Sequence, residues 1–140
     1  MSDAGIGGRD ELGQLVEGRS DEEINEFVQA AGVDTVLAQI FQGMEQAFAP
    51  EKAAGQSAVV QWDVTAPDTA HSWTVTIADG TCKATPGAAE APRLTLGLAL
   101  PDFVRFVSGH LDGMQAFMTG KLKLQGDLMF DQGMQAFFNA

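Results

Sequence analysis

The hydrophobic period changes twice along this chain, and that double change limits the folds open to it. Between Ser20 and Phe48 apolar residues recur at three- and four-residue spacing. Ile24, Phe27, Val28 and Ala31 make one such face; Val36, Leu37, Ile40, Phe41, Met44 and Phe48 make another. From Ala58 to Leu98 the pattern is alternation, through Ala58, Val60, Trp62 and Val64, then Trp73, Val75 and Ile77, then Leu94, Leu96 and Leu98. After Pro101 helical spacing returns. Helices, then a block of strands, then helices with one more strand predict an α+β domain, with helices covering one face of a mainly antiparallel sheet.

The punctuation agrees with the periods. Ser20 followed by Glu23 is a capping box, and Gly32 is the matching stop. A second helix follows from Asp34 and ends at Pro50 and Gly55, giving a helical hairpin. Asp79-Gly80 predicts a two-residue hairpin between HSWTVTIA and TCKATP. RLTLGLAL reads as a fourth strand. KLKLQGD reads as a fifth, with Leu122 and Leu124 inward and Lys121 and Lys123 outward. Short helices are predicted after Pro101 and over DGMQAFMTG, and a last helix from about Leu128 to Phe138. The Gly-rich first nine residues read as a flexible arm, followed by a turn or two of helix between Asp10 and Gly18.

Charge and composition exclude several functions. With 140 residues the chain suits one domain. Its net charge of −11 disfavours nucleic acid and electrostatic recruitment to an acidic membrane. Cys82 is the only cysteine, so no intrachain disulfide forms, which fits a reducing compartment. No N-terminal apolar signal and no run near the ~20 residues of a membrane span occur, so a cytoplasmic protein without stable membrane insertion is expected. The acidic, Ala- and Gly-rich character suggests a bacterial source.

Catalytic sets are missing. His71 and His110 lack metal-ligand spacing, and Cys82 reads as a buried, inert thiol in a strand. Asp127 and Asp131 suit helix capping better than an acid–base pair. No enzyme activity, metal or cofactor is expected. The notable material is soft and apolar: Met114, Met118, Met129 and Met134 stand among six phenylalanines between Phe103 and Phe138. Methionine and phenylalanine at helical spacing fit a core. They also fit an adaptable cavity for an oily ligand, and the stripe alone does not separate the two.

The segment LPDFVRFVSGHLDGMQAFMTGKLKLQGDLMF resembles the sterol carrier protein 2 (SCP-2) family. The resemblance is carried by Asp102-Phe103, Gly109, Gln115-Ala116-Phe117, Gly120-Lys121-Leu122-Lys123 and Gly126-Asp127. It implies an SCP2-like domain over 35–140, preceded by an arm and helical extension over 1–34. It further implies a five-stranded sheet under helices with an apolar tunnel between them. Members of that family bind and transfer sterols, fatty acids, fatty acyl-CoA and phospholipids, so non-catalytic binding or carriage of such a ligand is the implied function.

By position in the motif, Phe103, Phe106, Val107, Met114, Phe117, Met118 and Leu124 become tunnel-lining candidates, with Met129, Phe130 and Met134 beyond them. Gln115 and Gln132 become candidate polar contacts. Phe130 and Asp131 depart from the small or apolar residues usual there, so the ligand's identity does not carry over. An alternative reading is an accessory module that docks a partner or forms a homodimer through the N-terminal helices.

Overall fold

A computed structural model describes residues 13–14, 16–53, 55–67 and 69–126. The arm expected over the first nine residues and the helix expected over 128–138 lie outside the described residues. The elements run α1 (Asp21–Ala31), α2 (Val33–Ala47), α3 (Pro50–Ala53), β1 (Ala58–Thr65), β2 (Ala70–Ala78), β3 (Thr81–Pro86), β4 (Leu94–Ala99), α4 (Leu100–Val107), α5 (Gly113–Met118) and β5 (Lys123–Gly126). Helix α2 starts one residue before Asp34, and Pro50 opens the short α3 rather than only ending its predecessor.

Helix α1 begins where its orphan donors are met. The Glu23 amide donates to Ser20 Oγ at 3.2 Å, and the Ser20 amide donates to Glu23 Oε1 at 2.9 Å. The bond from the Ser20 amide favours the charged carboxylate, so the Glu23 pKa lies below its ordinary 4.5, with the Ser20 hydroxyl adding a smaller effect in the same direction. The sign follows from linkage: a group with a lowered folded pKa adds stability above about pH 4.5, and that stability fades as pH falls through the lowered value. Ser20→Ala is expected to cost about 1 kcal/mol. Thermal unfolding at neutral pH checks this, and an unchanged midpoint would remove the capping box from the account.

Five strands form one sheet in the order β3-β2-β1-β4-β5. The Asp79-Gly80 turn joins β2 to β3 with both residues at positive φ (53° and 75°), the twist a tight hairpin needs. Three of the four pairings are antiparallel, but β4 lies parallel to the central β1. The reason is the crossing between β3 and β4. It is held by the Ala89 amide donating to Gln61 Oε1 (3.0 Å) and the Arg93 amide donating to the Val59 carbonyl (2.7 Å). This delivers Leu94 beside Val60 with both strands running the same way.

One sheet face is apolar and the other polar. Val60, Trp62 and Val64 pair with Val75, Trp73 and His71 on one side, and Val60, Trp62 and Val64 with Leu94, Leu96 and Leu98 on the other. Helix α2 buries Val36, Leu37, Ile40 and Phe41 in the same core. At its centre Phe41 stacks on Trp73 (4.7 Å between centroids) and on Phe103 (5.5 Å), while Trp62 meets Phe103 edge-on at 5.5 Å.

Helix α1 belongs to this core too. Ile24 and Val28 are fully buried. Arg105 of α4 reaches back to the Asp21 carboxylate and donates to the Arg19 carbonyl at 3.2 Å. Those two apolar side chains are therefore occupied within the chain, whereas Phe27 of the same stripe is exposed.

Candidate functional site

The two sheet faces offer two kinds of surface. On the polar face, Asp63 accepts from Gln61 Nε2 (2.9 Å) and Ser72 Oγ (2.8 Å). Beside it a cleft of about 490 Å³ opens between β1, β4 and β5, bordered by Asp63, Thr65, Thr95, Asp102, Lys121, Lys123 and Gln125. Leu98 and Ala99 border it as well, but the four charged side chains Asp63, Asp102, Lys121 and Lys123 suit an oily ligand poorly. The apolar layer lies on the opposite face.

Within that layer the sequence-predicted residues separate into three groups. Phe103 is fully buried and is part of the filled aromatic centre. Phe106, Val107 and Leu124 are half-buried and pack against the core. Phe106 lies 5.9 Å from Trp62, centroid to centroid. Leu111 has the same half-buried setting and was missed in the sequence, because it sits in the loop after α4 where no period marks it.

The third group lies on α5, which turns outward. Met114, Phe117 and Met118 are 55%, 42% and 77% exposed, and Gln115 is exposed beside them. The buried side of α5 carries Gly113 and Ala116 instead. Small residues are needed there because the chain returns close by: the Leu122 amide donates to the Ala116 carbonyl at 2.9 Å, and the Leu122 side chain is buried. Strand β5 starts only at Lys123, two residues later than the alternation suggests. Met129, Phe130, Gln132 and Met134, like Asp127 and Asp131, lie outside the described residues.

The groups able to do chemistry are engaged structurally. Burial, with Glu45 adding a smaller charge effect, pushes the Cys82 thiol up to about 12, so it is protonated and a poor nucleophile at neutral pH. His71 Nδ1 lies 3.3 Å from Asp34 and ties β2 to the start of α2. His110 Nδ1 lies 3.2 Å from Ser108 Oγ, whose hydroxyl also donates to the Arg105 carbonyl. Among the described residues no three His, Cys, Asp or Glu side chains group as metal ligands. None of their helices is long and apolar enough to cross a membrane.

Similar proteins place this fold. An 81-residue stretch is 33% identical to peroxisomal multifunctional enzyme type 2 of Mus musculus, covering 56% of this chain and 11% of that protein. The fold is similar to the stereoselective inverting sec-alkylsulfatase Pisa1 from Pseudomonas sp. (TM-score 0.65, 19% identity, 73% of this chain and 16% of that one). It is also similar to palmitated SCP2L2 from Aedes aegypti (TM-score 0.59, 19% identity, 74% of this chain and 93% of that one). The chain therefore spans a small part of the first two proteins and most of the third. With a mouse, a bacterium and a mosquito among them, these matches lend the expected bacterial source no support. The profile of the SCP-2 sterol transfer family matches residues 37–139, from within α2 through the whole sheet, and the chain belongs to that family.

Proposed function

We propose that the chain binds and carries a hydrophobic ligand of the lipid class, without catalysing a reaction on it. The supporting observation is an apolar layer that is filled at its centre and only half closed beside α4 and β5. There Phe106, Val107, Leu111 and Leu124 pack against the core while keeping partial exposure. These four form the proposed wall. Because Phe41, Trp62, Trp73 and Phe103 occupy the middle, the space left suits a flexible single alkyl chain better than a rigid ring system. The palmitated state of the similar Aedes aegypti protein points the same way.

The energetics suffice. Each buried methylene contributes roughly 0.8 kcal/mol, so ten contribute about 8 kcal/mol before ordering costs. Delipidated protein is expected to take up a fluorescent fatty acid, with emission from Trp62 changing as the ligand settles near Phe106. Leu124→Phe fills part of the proposed space. Displacing about two methylenes lowers affinity roughly tenfold. If folded, delipidated protein takes up no lipid analogue, the reading fails. If Leu124→Phe binds as tightly as the parent, the wall lies elsewhere.

Docking of a partner or dimerisation through the N-terminal helices is less favoured. Ile24 and Val28, the residues such an interface would use first, are buried inside the chain.

A further inference from the structure

We propose that the cleft on the polar sheet face is a second binding site, for a small zwitterion of the ω-amino acid class. Its ammonium group is held at Asp63 and its carboxylate at Lys121 and Lys123. The site lies on the opposite face of the sheet from the proposed wall and stands independently of the carriage reading.

Strand register sets the floor of the cleft. Asp63, Gly97 and Lys123 are direct partners across β1, β4 and β5, so all three face the same way. With neighbouring strands about 4.8 Å apart, the Cα atoms of Asp63 and Lys123 are separated by roughly 10 Å. Gly97 between them puts no side chain in that gap. A Cβ built on it would lie 3.9 Å from Lys123 Cβ, which places the missing side chain on the cleft side. Lys121 borders the same cleft, and the buried Leu122 separates the two lysines by turning to the core. The result is a trough of about 490 Å³, with a carboxylate on one side, two ammonium groups on the other and low backbone between them.

These charges are not paired with one another. Asp63 accepts from Gln61 and Ser72, both neutral donors and both on Oδ1. No ion pair among the described residues uses Asp63, Lys121 or Lys123. Asp102, the other acid at the border, is paired with Arg105 at 3.3 Å. A lone anion at the lysines would also meet the Asp63 charge, and a lone cation at Asp63 would meet the lysines. A ligand carrying both charges is complementary to both sides. The separation disfavours an α-amino acid, whose two charged groups share one carbon. It calls for a methylene spacer, which can lie over Gly97 and the Ala99 methyl. The hydroxyls of Thr65 and Thr95 border the trough and can donate to a carboxylate or accept from an ammonium group.

The test is titration of the full chain with 5-aminopentanoate at low ionic strength, followed by NMR shifts of the backbone amides. Exposed charge contacts are individually weak, so the expected Kd is on the order of 1 mM, with shifts centred on Asp63, Gly97 and Lys123. Glycine, pentanoate and pentylamine, which offer adjacent charges or only one, should each bind about fivefold more weakly. Asp63→Asn keeps an acceptor for Gln61 and Ser72, so the fold is retained. It should weaken 5-aminopentanoate about fivefold and pentanoate not at all. K121Q/K123Q should weaken 5-aminopentanoate by a similar factor and spare pentylamine. Both variants should take up a fluorescent fatty acid as the parent does, since none of the three residues is in the proposed wall. A parent protein whose cleft amides do not shift with 5-aminopentanoate overturns the proposal. So does pentanoate binding as tightly as 5-aminopentanoate, which would make the lysines a simple anion site. Asp63→Asn or K121Q/K123Q binding the zwitterion like the parent would overturn it too.

Discussion

Phe103→Ala is expected to cost about 3–5 kcal/mol of folding stability, a large fraction of what a domain of this size possesses. Its ring is fully buried, stacks on Phe41 and meets Trp62 edge-on, both at 5.5 Å. Truncation removes the ring's burial and leaves a void lined by rigid aromatics that cannot collapse into it. Urea unfolding followed by tryptophan emission measures the loss directly, because Trp62 borders the void. Phe103→Leu keeps most of the volume and should lose about 1–2 kcal/mol. A cost below about 1 kcal/mol for the alanine variant would mean that the ring borders an open tunnel rather than a filled centre.

The second large effect belongs to a glycine. Gly126→Ala is expected to destabilise by about 3 kcal/mol, combining backbone strain with a steric conflict. Gly126 has φ +105°, which side-chain-bearing residues rarely adopt. A Cβ built there falls inside contact distance of the Arg93 carbonyl oxygen and lies 3.2 Å from Leu94 Cα, both backbone atoms with little room to yield. Since Gly126 pairs with Leu94, the strain falls on the β4–β5 ladder. Hydrogen exchange should therefore speed up at Lys123–Gly126 before the rest of the sheet. Gly97→Ala is the control: its Cβ meets nothing nearer than 3.9 Å, so its effect should stay within about 1 kcal/mol. Equal effects at the two positions would exclude the backbone explanation.

Gly126 also indicates what a sequence can and cannot convey. Its place in the Gly-Asp motif marked it as part of a family pattern, but its neighbour across the sheet is fixed only by the fold. Features set by nearby residues were readable: the capping box at Ser20 and Glu23, the Asp79-Gly80 hairpin, and the alternation that divides β1 into two faces. Features set by distant partners were not. The parallel pairing of β1 with β4 depends on a crossing loop anchored to Gln61 and Val59. The facing of α5 was misleading for a similar reason. Methionine and phenylalanine suggest an inward stripe, yet the close return of Leu122 demands small residues on the inner side and turns the large ones out. Among the proposed wall residues, Phe106, Val107 and Leu124 were legible from motif and period, whereas Leu111 lies in a loop that carries neither.

The parallel neighbour of β1 also bears on how the chain is made. Strands β1, β2 and β3 are joined by short local connections and can assemble as soon as they leave the ribosome. The second edge of β1 then stays open until Leu94–Ala99 has been synthesised and carried across. An unpaired edge beside Val60, Trp62 and Val64 is adhesive, so the nascent three-stranded sheet is the stage at which this protein is most exposed to aggregation.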